Sequence, residues 1–177
     1  MYSLESFKID LKGLREGDTK ITFRLDDDFF KAVNGSEVKS GLLDATLDIH
    51  RTASSYSIGF HAEGTVVVPC DICLEDMNQP VTAEGHLTAR LGEEYSEDDD
   101  LITVDKEQGL LDMSWFVYEF VALSVPIKHA HEEDECNPDM IKALGKHTTA
   151  SAECDDEEKE TDPRWNELKK LKTIIKD

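Results

Sequence analysis

Leu43-Asp44-Ala45-Thr46-Leu47-Asp48-Ile49-His50 and, six residues on, Tyr56-Ser57-Ile58-Gly59-Phe60-His61-Ala62-Glu63 decide the fold class. Apolar and polar residues alternate with a period of two, so each stretch presents one apolar and one polar face, as a half-buried strand does. Val66 and Val68 extend the second stretch. Thr52-Ala53-Ser54-Ser55 is the expected turn between the two. Val81, Ala83, Leu87, Ala89 and Leu91 repeat the pattern as a third strand, reached by a longer connection over residues 69–80. Ile21, Phe23 and Leu25 predict a shorter strand, and Leu101–Val104 an edge. The expectation is an α+β fold. An antiparallel meander or partly open barrel has one covered face, under one central helix.

Working outward, Asp26-Asp27-Asp28 before Phe29, Phe30, Ala32 and Val33 predicts a short helix with acids at its N-terminus. Residues 110–127 change period: Trp115, Phe116, Tyr118, Val121, Leu123 and Val125 lie in an apolar stretch ending at Pro126. This predicts the core helix, with Asp112 or Ser114 as N-cap. Thr161-Asp162-Pro163 restarts a helix, since Pro suits the first position after an Asp cap. Trp165, Leu168, Leu171 and Ile175 recur there at spacings of three and four, with Lys169, Lys170 and Lys172 on other faces. Three parts result: a sheet domain with core helix over 1–127, an acidic, partly flexible segment containing Cys and His over 128–161, and a C-terminal amphipathic helix over 162–177.

Charge sharpens this division. The 177 residues carry a net charge of -20, with 19 Lys+Arg against 39 Asp+Glu. Residues 92–162 hold 22 acids and 5 bases, whereas residues 163–177 hold 2 acids and 5 bases. A protein gripping nucleic acid through phosphates needs a basic face, so the tail alone suits RNA and the acidic middle suits a basic partner. The 39% hydrophobic content is too high for a wholly disordered acidic chain. No apolar run reaches the roughly 18–20 residues of a membrane span. Residues 1–8 show no signal-peptide pattern, so the expected compartment is cytoplasmic, where disulfides are rare.

The four cysteines are Cys70, Cys73, Cys136 and Cys154. Cys70-Asp71-Ile72-Cys73 has the spacing at which one turn brings two thiolates to one Zn²⁺, and Pro69 leads into it at a strand end. A redox C-x-x-C usually opens a helix, whereas here a strand follows. Two further ligands are needed, and Cys136, Cys154, His129, His131 and His147 are the candidates. Free thiols in a tight hairpin are the alternative. No phosphate loop, H-E-x-x-H or G-x-S-x-G is present. His50, His61 and His86 fall on polar strand faces beside acids. An enzyme or a small-molecule substrate is therefore not expected.

The order of these features resembles the YceD family, the large ribosomal RNA subunit accumulation proteins. The residues that carry the resemblance are Cys70, Cys73 and Leu74; Asp112, Val117, Glu119 and Pro126; Cys136 and Asp139; and Asp162, Pro163, Arg164, Trp165, Leu168, Lys169, Lys170 and Leu171. It spans about residues 40–172. The resemblance implies a non-catalytic cytoplasmic factor supporting 23S rRNA accumulation and large-subunit assembly. Family members often carry a second C-x-x-C. This chain has Cys136-Asn137-Pro138-Asp139 and then only Cys154, so one or more of His129, His131 and His147 are implied as substitute ligands, with His131 the one expected beside the four cysteines. The leading expectation is an adaptor for a basic ribosomal protein or assembly factor. Arg164, Trp165, Leu168, Lys169, Lys170 and Leu171 are its candidate docking residues. The alternatives are a small zinc protein touching rRNA through that basic tail, and a metal-dependent redox or storage protein using Cys70 and Cys73.

Overall fold

The computed structural model describes residues 4–98, 101–132 and 135–147. The chain divides into two units, Met1–Asn137 and Pro138–Asp177. In the first unit a 3-10 turn, Leu4–Phe7, leads into β1 (Lys8–Asp10), β2 (Gly17–Leu25), α1 (Asp27–Val33), β3 (Ser40–Arg51) and β4 (Tyr56–Pro69). β5 (Asp76–Gly92), β6 (Ser96–Asp98), β7 (Leu101–Asp105), β8 (Leu110–Asp112) and α2 (Ser114–Ser124) follow. The described part of the second unit is α3 (Pro138–His147).

The expected meander is present as β2-β3-β4-β5, all antiparallel. Its register puts like with like: Ala45, Ala62 and Ala83 share one row, and Leu47, Phe60 and Gly85 the next. Because side chains alternate faces, this register gathers Leu43, Leu47, Ile49, Ile58, Phe60, Val81 and Leu87 in one buried layer. The Thr52 turn fixes it. Thr52 N donates to Ser55 O at 2.8 Å, and Ser55 N donates to Thr52 Oγ1 at 3.1 Å.

Two helices cover the apolar face. α1 starts as predicted: the Asp26 carboxylate accepts from Asp28 N and Phe29 N, both at 3.1 Å, satisfying two of the donors a helix N-terminus leaves open. Its Phe29 ring packs at a tilt against that of Phe7, centroids 4.8 Å apart. α2 buries Val117, Tyr118 and Val121, and its Phe120 ring lies 5.4 Å from Phe60. Gly85 permits this approach, since a Cβ there would meet the Phe120 ring at 2.5 Å. The Tyr118 hydroxyl accepts from Glu37 N at 2.9 Å and Val38 N at 3.1 Å, tying the loop after α1 to α2.

Four expectations are corrected. The sheet does not close into a barrel; it is open, with β2 and β6 at its edges. The strand at Leu101–Asp105 is not the edge but pairs in parallel with β5, and β6 flanks it antiparallel. The helix over 110–127 begins later, because Leu110–Asp112 pairs with β1. Its N-cap is Met113, which makes no side-chain capping bond, in place of the expected Asp112 or Ser114; the Asp112 carboxylate instead accepts from Ser114 N at 2.9 Å just ahead of the helix. The connection over 69–80 shrinks to residues 70–75, since β4 and β5 pair as far as Pro69↔Asp76. The tail helix over 162–177 and the acidic stretch from Glu153 lie outside the described residues. No described helix is long and apolar enough to cross a membrane.

Candidate metal centre

The β4–β5 hairpin ends in a tight turn that carries the C-x-x-C. Cys70 N donates to Glu75 O at 2.8 Å, and Leu74 N donates to Cys70 O at 2.9 Å. Leu74 closes the turn in the left-handed region, at φ 63°. Such a turn points successive backbone N–H groups at the sulfur of its first residue. Ile72 N lies 3.4 Å from Cys70 Sγ.

The segment after α2 runs back along this turn. Asp71 N donates to His129 O at 2.9 Å, and His129 N donates to the Asp71 carboxylate at 2.8 Å. Two residues on, His131 N approaches Cys70 Sγ at 3.5 Å, and His131 Nδ1 lies 3.3 Å from Cys73 Sγ. The segment then delivers Cys136, whose sulfur is 3.8 Å from Cys70 Sγ. Asn137 fastens this end by donating from Nδ2 to the Glu75 carboxylate at 2.6 Å.

Cys70, Cys73, His131 and Cys136 thus offer four ligand atoms within 4.8 Å of one another. All three thiols are free and buried, and a disulfide would need sulfurs about 2.05 Å apart. The four side chains can hold a metal ion. Cys154 lies outside the described residues. His147 ends α3 in the second unit. His129, the other candidate, has its ring in use: Nδ1 donates to the Pro126 carbonyl at 2.9 Å, and Nε2 lies 3.7 Å from Asp71 Oδ1.

The electrostatics favour thiolates at the turn. Burial opposes charge on Cys70, but the N–H groups of Cys73, His131 and Ile72 outweigh it and bring the thiol down to about 6. The N–H of Asn137, against burial and aided by that of Glu75, lowers Cys73. Burial and the neighbouring sulfurs of Cys70 and Cys73 push Cys136 up to about 11. Hydrogen bonds to Cys70 and Cys73 raise His131 above its ordinary 6.5. Such N–H groups stabilise the charged form of a ligand before any ion arrives.

Beside the cluster is a cleft of about 510 Å³ with a mixed lining: Val38, Val68, Val125 and Ile127 on one hand, and Glu37, Lys39, Asp76 and His129 on the other. The polar sheet face carries the remaining strand histidines. His50 pairs with Asp18 at 2.6 Å, His61 with Glu63 at 3.3 Å, and His86 with Ser57 at 2.8 Å. These are exposed partners on a solvated face, as the alternation predicted.

No curated protein and no solved structure matches the chain. One family model matches residues 58–172, that of the Large ribosomal RNA subunit accumulation protein YceD.

Proposed function

Since the chain belongs to the YceD family, we propose that it is a non-catalytic factor supporting 23S rRNA accumulation and large-subunit assembly, acting as an adaptor for a basic ribosomal protein or assembly factor. The family match over residues 58–172 carries this reading. The charge of the chain supports the choice of a protein partner. At -20 overall, most of its surface attracts basic proteins and repels phosphate. The cleft mixes valine and isoleucine side chains with Glu37, Asp76, Lys39 and His129, so it offers apolar contact without a single sign of charge, and the case for a basic partner rests on the overall charge.

Zinc is the metal that the ligand chemistry favours. Three thiolates and one imidazole form a closed structural set, and Zn–S bonds of about 2.3 Å at tetrahedral angles set sulfurs roughly 3.8 Å apart. The Cys70–Cys136 separation of 3.8 Å fits that spacing. Bound there, zinc joins the β4–β5 turn to the segment after α2.

Pull-down from lysate, with and without ribonuclease, tests the adaptor. Basic large-subunit proteins should remain after RNA digestion. Loss of every partner would transfer the function to RNA contact, for which Arg164, Lys169, Lys170, Lys172 and Lys176 are the available cations. Metal analysis of untagged protein should give about one zinc per chain. Under about 0.1 equivalent, with stability indifferent to chelator, would sink the zinc assignment.

A further inference from the structure

We propose that Asp71, the first of the two residues between Cys70 and Cys73, is the positioning residue that presents His131 to the metal; this rests on the metal reading above. The chain must bring a histidine from beyond α2 to a turn 58 residues earlier. No helix or strand holds it there, since residues 125–132 carry neither. What holds it is Asp71. Its backbone N–H donates to His129 O at 2.9 Å, and its carboxylate accepts from His129 N at 2.8 Å.

These two bonds grip both backbone groups of one residue, so they fix the direction of the chain as well as its position. His129 is braced from the other side too, because its Nδ1 donates to the Pro126 carbonyl at 2.9 Å. A carbonyl can only accept, so Nδ1 is the donor in this bond. From this clamped residue the chain needs two more steps to set His131 N against Cys70 Sγ at 3.5 Å and its ring against Cys73 Sγ at 3.3 Å. His129 is therefore a brace and His131 the ligand. Groups hydrogen-bonded directly to a metal ligand typically change metal affinity by about 10–100-fold when removed; Asp71 acts on the backbone two residues from its ligand, and an effect within that range is expected of it.

The relevant contact is an accepted N–H, so it needs an oxygen at the carboxylate position and no negative charge. Asp71→Asn retains that oxygen; Asp71→Ala does not. Asp71 is exposed, so neither change opens the core.

The test is cobalt(II) titration of the full-length protein, with zinc competition for affinity. Wild type should show thiolate-to-cobalt charge transfer and the intense visible bands of a tetrahedral S₃N site. Asp71→Ala should bind about 10–100-fold more weakly, with its visible bands shifted toward those of His131→Ala, in which water replaces the imidazole. Asp71→Asn should stay within about threefold of wild type, and His129→Ala should keep the S₃N spectrum. Wild-type affinity and bands in Asp71→Ala would overturn the positioning role while leaving the metal site standing. Equal weakening in Asp71→Asn would overturn it too, by assigning the effect to charge. Absence of thiolate charge transfer in wild type would remove the metal reading and this inference together.

Discussion

Cys136 and His131 decide how the cluster responds to pH. Cys70, at about 6, is already a thiolate at neutral pH, whereas Cys136, pushed up to about 11, still holds its proton. A metal ion held here would take the thiolate and a neutral imidazole, so affinity rises with pH until both Cys136 and His131, whose proton is held more tightly than usual beside Cys70 and Cys73, have lost their protons. Zinc added to metal-free protein in weak buffer at pH 8 should therefore release a proton from Cys136, read with an indicator dye. Cys136→Ser should release fewer protons and bind more weakly, whereas Cys154→Ser should retain wild-type stoichiometry. The thiols of this site were legible from spacing and residue type. His131 was the histidine expected beside them, and it is the one that joins Cys70, Cys73 and Cys136; what spacing alone does not show is why His129, two residues earlier, stays out, since that turns on its contacts with Asp71 and Pro126, from segments apart in the chain.

Among the elements, α2 bears a connection that nothing in its periodicity announces. The Tyr118 hydroxyl is the shared acceptor for Glu37 N and Val38 N, and Val38 is fully buried. Tyr118→Phe leaves both donors without that oxygen, and a buried unsatisfied group costs about 1–3 kcal/mol. The urea midpoint should fall accordingly; an unchanged midpoint would mean that the loop finds another acceptor. The long strands were readable because alternation over eight or more residues outweighs local noise. The three-residue strands at Lys8 and Leu110 were not, since three residues hold too little periodicity and their pairing is with each other across the chain. The α3 helix did leave a signal. Pro138 opens it directly after Asn137, the same start pattern that was recognised at Asp162-Pro163.

At the scale of the molecule, the acidic charge predicts how a partner should behave. If a basic protein is held by this surface, capture should weaken steeply between low and physiological salt, as exposed charges are screened over about 8–10 Å. Salt-independent capture would assign the contact to uncharged surface, such as the valine-lined part of the cleft beside the Cys/His cluster. A chain truncated after Asp162 should keep its sheet folded and lose part of its capture; full capture would exclude the tail as a docking element.

The order β5-β7-β6 has a kinetic consequence. From the end of β5 the chain passes beyond its neighbour's place, forms β6 on the outside, and returns as β7 between the two. β7 is one arm of a short hairpin whose other arm faces solvent along its far edge. That hairpin can lift away while β2 to β5 stay paired, because their hydrogen bonds do not depend on it. Amide exchange should record this as a step in protection. The amides of Ile102 and Val104 should exchange faster than those of Ala45 and Ala62, although all four side chains are equally buried.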